Sequence, residues 1–228
     1  MGWNGFPNCL IGVLLLETEK GNMHSKVLVV IDMQNDFITG PLGNRECKAV
    51  VQEVSKIIKE GGYDYVYVTQ DTHGDDYLST QEGRNLPLKH CIYGTEGWEI
   101  VPEVQDALDL KKDYRTFKKG TFGSMELAEA VSRECLPDAK VDFVGVCTDI
   151  CVISNAIIMK AFNSEMRLSV ISRACAGTTE RNHAAALAAM RSCQIDIVRS
   201  AADTLRSNLL STINHAAVCR EGRRIISL

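Results

Sequence analysis

This chain of 228 residues has no CxxC pair, no N-x-S/T acceptor site, no cluster of Lys and Arg interleaved with aromatics and no apolar run long enough to cross a bilayer. Each absence closes a door. Nine cysteines, an odd number scattered without paired spacing, exclude a small disulfide framework and a zinc ribbon, and fit reduced thiols in a cytoplasmic protein. A net charge of −4 leaves no electrostatic footprint for nucleic acid. The apolar residues 9–16 are too short to span a membrane, and no basic residue precedes them as in a signal peptide, so no membrane partner is expected. Lipidation motifs and internal repeats are missing as well. What remains, 45% hydrophobic and 24% charged, suits one globular domain over residues 26–200. An irregular extension over 1–25 and a tail or short helix over 201–228 would flank it, the latter offering a contact for a homo-oligomer.

The most informative stretch is 141–156, VDFVGVCTDICVISNA. Residues 141–146 read as a short buried strand, Thr148 and Asp149 are N-cap residue types, and 151–162 is a nearly unbroken apolar helix. Cys151 thus falls in the first turn of a helix, where the terminus favours thiolate and free N–H groups can hold an oxyanion. It can equally be a small buried side chain packing a strand–helix junction.

Around it the pattern alternates. Residues 26–32, KVLVVID, form an apolar strand closed by Asp32; 45–60 form an amphipathic helix, and 64–70, DYVYVTQ, a second strand. From 71 to about 101 the chain is long, polar and irregular, carrying Asp71, His73, Glu82 and His90. A short strand at 114–117 precedes Lys118 and Lys119, a helix follows over 124–135, and the order closes with a strand at 167–172, a helix at 179–193 and a strand at 194–198. Strands alternating with helices predict a three-layer α/β/α sandwich around an open, mostly parallel, doubly wound sheet. Ligands bind such sheets beyond the carboxyl ends of the strands, where Asp32, Asp71, Lys119 and Cys151 all fall.

Five segments, IDMQNDF (31–37), TQDTH (69–73), LPLKHCIYGTEGW (86–98), KKGTFGS (118–124) and GVCTDICV (145–152), together resemble the isochorismatase-like cysteine hydrolases and, among them, the nicotinamidase-related amidohydrolases. The resemblance implies an Asp–Lys–Cys triad of Asp32, Lys119 and Cys151, with Lys118 left in solvent. It also implies a cis peptide between Val146 and Cys147, with the amides of Cys147 and Cys151 as oxyanion hole. In that reading Lys119 lowers the Cys151 pKa and Asp32 takes the thiol proton, so that a small carboxamide, most simply nicotinamide on its way through NAD salvage, passes through a thioester to the acid and ammonia. A divalent metal, zinc with iron or manganese as alternatives, would sit on Asp71, His73, Glu82 and His90, and no organic cofactor is implied.

Two departures stand out. Where nicotinamidases commonly carry an aromatic three residues before the His of H-C, this chain has Pro87, so Phe37 remains as one wall of the substrate site with Trp98 or Tyr93 as candidates for another. His183 reads as a surface or core histidine without a chemical role. The alternatives are a hydrolase of another small amide, of ureido or carbamoyl type, a non-enzymatic binding module, and a redox protein using Cys147 and Cys151.

Overall fold

The computed structural model describes residues 25–199. The extension and tail expected over 1–25 and 201–228 therefore lie, save for Ser25, outside the described residues. Six parallel strands form one sheet: β1 Lys26–Ile31, β2 Tyr65–Asp71, β3 Arg115–Lys119, β4 Lys140–Val146, β5 Arg167–Ala176 and β6 Asp196–Val198, in the order β3-β2-β1-β4-β5-β6. The helices are α1 Asn35–Ile38, α2 Arg45–Glu60, α3 Gln81–Asn85, α4 Pro102–Lys111, α5 Met125–Glu134, α6 Ile153–Phe162 and α7 Glu180–Ser192.

Strand β1 shows why the sheet is covered twice. Its residues 27–31 are fully buried; Leu28 and Val30 enter one core with α2 and α4, and Val27, Val29 and Ile31 enter the other with α5, α6 and α7. A strand with no polar face can sit only in the middle of a sandwich. Helix α2 starts where Asn44 accepts from the Cys47 N–H at 2.7 Å, and its Val50, Val54, Ile57 and Ile58 supply the apolar stripe. The sheet order reverses between β1 and β4, the point at which such folds open a crevice.

The observed elements differ from the sequence expectation in three places. The stretch expected as irregular holds single turns at Tyr77–Ser79 and Glu96–Trp98 and the short helix α3. Helix α4 was not announced, because its buried face is only Val104, Ala107 and Leu108, too narrow a stripe to stand out. Strand β5 runs beyond Ser172 to Ala176, its pairing with β4 shifting register between Phe143 and Gly145.

Candidate active site

The ends of β1 and β4 meet because Gly145 lets them. It pairs with Ile31 at φ 113, and a Cβ there would stand 2.1 Å from the Ile31 carbonyl oxygen, so no other residue fits. Just past these ends lie Asp32, itself at φ 47, and the cis peptide Val146–Cys147 expected from the resemblance. A buried non-glycine residue in the left-handed region is held there by its surroundings. For Asp32 those are on β2: its N–H donates to the Thr69 carbonyl at 3.2 Å, and the Thr69 hydroxyl donates to Asp32 Oδ1 at 2.6 Å.

Lys119, at the end of β3, joins the acids to the thiol. Its Nζ stands 2.7 Å from Asp32 Oδ2, 3.1 Å from Asp71 Oδ1 and 3.6 Å from Cys151 Sγ, with all four residues buried. The 2.7 Å contact pairs the ammonium with Asp32 Oδ2, the oxygen that Thr69 does not touch. Burial works against the Lys119 charge, but Asp32, Cys151 and Asp71 outweigh it and hold the ammonium above the ordinary lysine range. Asp32 is raised by burial and by Asp71, against the pull of Lys119. Lys118 is exposed but not simply solvated, its Nζ lying 4.4 Å over the Tyr93 ring and 5.1 Å over Trp98.

The thiol reverses an expectation. Burial and the charge of Asp32 push the Cys151 pKa well above the ordinary 9.0, and Lys119 only partly offsets them. Burial therefore favours the thiol form of Cys151, against the bias of the helix start towards thiolate. The helix start differs too: Thr148–Val152 is a π turn with Cys147 at its N-cap and no side-chain cap. Thr148 and Asp149 are drawn away by α7 and the loop before it, Thr148 Oγ1 pairing with His183 Nδ1 at 2.8 Å and Asp149 accepting from the Thr178 N–H at 2.8 Å. His183 is thus tied to the turn after Cys147. The Cys147 thiol meets Cys47 in the α2 core, whereas Cys151 belongs to the opposite core, so the two do not form a facing pair.

The four expected ligands converge. Donor atoms of Asp71, His73, Glu82 and His90 all lie within 4.8 Å of one another. His73 Nε2 is 2.9 Å from Asp71 Oδ2 and 3.6 Å from Glu82 Oε1; His90 Nε2 is 3.5 Å and 3.7 Å from the same atoms. Donors around a tetrahedral ion bound at about 2.1 Å stand about 3.4 Å apart, so the spacing fits one. His90 Nδ1 faces the Leu88 carbonyl at 2.9 Å, which places the proton there and leaves Nε2 as the ligating atom. Two carboxylates demand positive charge at this centre: burial disfavours a charge on His90, but Asp71 and Glu82 raise its pKa, and Glu82 is itself raised by burial and Asp71.

Of the expected substrate walls, Phe37 is buried with its ring 5.7 Å from that of His90. Trp98 and Tyr93 meet edge to face at 4.9 Å under Lys118, and Trp98 Nε1 also donates to Thr72 Oγ1 at 2.9 Å. Pro87 is exposed. Three residues given no role from sequence hold the site together. Gln34 donates to the Asp71 carbonyl at 2.8 Å and accepts from its N–H at 2.7 Å. Thr69 orients Asp32. Asn155 donates to the Cys151 and Phe122 carbonyls at 2.8 and 3.1 Å and accepts from the Ser124 N–H at 3.0 Å, joining α6 to the loop after Lys119. An amide four positions after Cys151 in a mostly apolar helix was the available signal.

Known proteins share this layout. The nicotinamidase/pyrazinamidase of Mycobacterium tuberculosis is 28% identical over 190 residues, 77% of this chain and 99% of that protein. An uncharacterized isochorismatase family protein of Bacillus subtilis is 31% identical over 179 residues, 71% of this chain and 92% of its own length. The crystal structure of the pyrazinamidase of Pyrococcus horikoshii in complex with zinc superposes with a TM-score of 0.64 at 26% identity, over 77% of this chain and 99% of that one. The sequence pattern of the isochorismatase domain matches residues 26–202, and with the parallel sheet and its crevice between β1 and β4 this shows that the chain belongs to the isochorismatase domain family.

Proposed function

We propose that this protein is a cysteine amidohydrolase that converts nicotinamide to nicotinate and ammonia, with Cys151 as nucleophile, Asp32 as base and Lys119 as the charge between them. The observation that carries it is the Asp71 carboxylate, which touches Lys119 Nζ with one oxygen (3.1 Å) and His73 Nε2 with the other (2.9 Å). A metal anchor and a nucleophile are thereby set side by side.

The thiol starts neutral, so its proton must leave as it attacks. Asp32 is joined to the Cys151 thiol by a side-chain hydrogen bond, and its raised pKa makes it a better base than an ordinary carboxylate. Attack on the amide carbon gives a tetrahedral oxyanion, for which the N–H groups of Cys147 and Cys151 are the donors. Proton return from Asp32 releases ammonia and leaves a thioester, and the same carboxylate then activates water. Lys119 stays charged throughout. Asp71, His73, Glu82 and His90 would hold a divalent ion, zinc first and iron or manganese as alternatives; when bound, it supplies a Lewis-acidic anchor for a substrate lone pair. Phe37, against His90, would form a wall of that pocket. Nicotinate would feed pyridine-nucleotide salvage in the cytoplasm, and the enzyme would act as a homo-oligomer.

Ammonia release from nicotinamide and benzamide tests the reading. Nicotinamide should turn over and benzamide, of the same shape without the ring nitrogen, should be poor; chelation or His73→Ala should remove both the preference and most activity, with zinc restoring the chelated wild type. Benzamide turning over as fast as nicotinamide would favour a second reading, a non-aromatic amide of ureido or carbamoyl type, which the exposed Pro87 in place of an aromatic platform would suit.

A further inference from the structure

The metal cluster is carried by a loop, and one peptide in that loop serves both histidines. Cys91 follows His90 directly and is buried at φ 46. Its carbonyl accepts from the His73 N–H at 3.0 Å, and its own N–H donates to Asp36 Oδ2 at 2.7 Å. Whatever fixes Cys91 therefore fixes the backbones of His73 and His90 together.

Asp36 is fitted to that task. It lies in the single-turn helix α1, and two glycines from different segments close on its carboxylate: a Cβ at Gly97 would stand 2.2 Å from Asp36 Oδ2, and one at Gly40 would stand 2.5 Å from Oδ1. Its chain neighbours point the same way. Gln34 clasps the backbone of Asp71, Asn35 Nδ2 donates to the Glu96 carbonyl at 2.8 Å, and the Phe37 ring packs on His90. We propose that Asp36 is a positioning residue for a divalent cation, holding Cys91 in its left-handed conformation and through it the two imidazoles of the Asp71–His73–Glu82–His90 cluster. The inference rests on the metal reading above. A non-glycine residue at positive φ is disfavoured, so without its charge-assisted bond Cys91 would turn back towards negative φ and carry the His90 backbone with it.

Zinc titration of the chelated apo-protein against a competing chelator tests this without recourse to activity, with apo thermal midpoints reporting folding. Asp36→Ala should weaken zinc binding about 10–100-fold, the range typical for groups that orient ligands. Gly97→Ala should do the same by displacing the carboxylate, and the double variant should be no weaker than the worse single one, because both break one contact. Asp36→Asn, whose amide oxygen can still accept the Cys91 N–H, should stay within about threefold of wild type. Should Asp36→Ala fail to fold, Gly97→Ala against Asp36→Asn carries the same contrast. Variants that bind zinc as tightly as wild type, or losses that multiply in the double variant, overturn the role of Asp36 alone. A wild type that takes up no zinc overturns the metal reading and this inference with it.

Discussion

The two halves of the site are held by different forces. Asp32 follows β1, Lys119 ends β3 and Cys151 lies in the turn after β4, so they are placed by strands whose side chains are packed in two cores. His73, Glu82 and His90 sit between β2 and α4 on a segment of single turns and the short helix α3, where Gln34 and Asn35 donate hydrogen bonds to the backbone and the Asp36 carboxylate accepts one. Strand ends inherit precision from burial, whereas loop ligands need a partner for each peptide. The two halves share only Asp71. Substitutions at the strand ends that spare Asp71 should therefore leave metal uptake untouched, whereas loss of the metal should still cost activity.

The largest separation is expected at the nucleophile. Cys151→Ala should lower turnover by roughly 10⁴–10⁶-fold, the range seen when a member of a catalytic triad is removed, while zinc uptake stays at the wild-type level. Cys147→Ala should keep most activity, since the proposed mechanism uses only its amide and its thiol faces Cys47. Amide hydrolysis followed alongside metal titration reads both. If Cys147→Ala were the inactive variant, the nucleophile would be misassigned.

How far the sequence foretold this follows the same division. The strands, the crevice and the triad positions were readable, because apolar runs closed by Asp32 or followed by Cys151 mark strand ends. The ligands were readable only through the family motifs: Asp71, His73, Glu82 and His90 show no periodicity that would bring them together. Gln34 and Thr69 were not readable, since much of what they hold is backbone of distant segments, which carries no sequence signature, and Asn155 left only the hint of an amide in an apolar helix. Nor was the protonation of Cys151. The sequence shows a helix start, which favours thiolate, but the burial that outweighs it depends on packing.

The next effect in size tests the charge at the centre. Lys119→Met leaves Asp32 and Asp71 buried without their cation and should cost about 3–5 kcal/mol of stability at neutral pH. The folded-state pKa of Lys119 lies above its ordinary 10.5, so its contribution is fully present below that value and is lost as pH rises through the folded one. The gap to wild type in denaturant melts should thus be flat from pH 7 to 9. It should narrow in acid, where Asp32, whose pKa is raised, takes a proton and no longer needs the cation. Alkylation of Cys151 should have its pH midpoint above 9 in wild type and higher still in the variant, whereas Lys118→Met should leave it in place. A midpoint below 8 in wild type would mean that the thiolate is the resting form after all.

The smallest effect lies at Thr69, which separates placing the base from supplying it. Thr69→Val keeps the volume and β propensity of a buried strand residue and removes one hydroxyl, which donates to Asp32 Oδ1 at 2.6 Å. A hydrogen bond to a charged group contributes about 1.5–3 kcal/mol, much of it common to free enzyme and transition state, so kcat/KM should fall only about tenfold. Its pH dependence is more diagnostic than its size. The hydroxyl favours the carboxylate form, so its loss should raise the Asp32 pKa further, and the acid limb of the kcat/KM profile should move to higher pH. Zinc affinity should not change, because Thr69 touches no ligand of the cluster. An acid limb that stayed in place while activity fell would assign that limb to another group and remove Asp32 from the role of base; a loss of zinc along with activity would show that strand ends and loop ligands are coupled through more than Asp71.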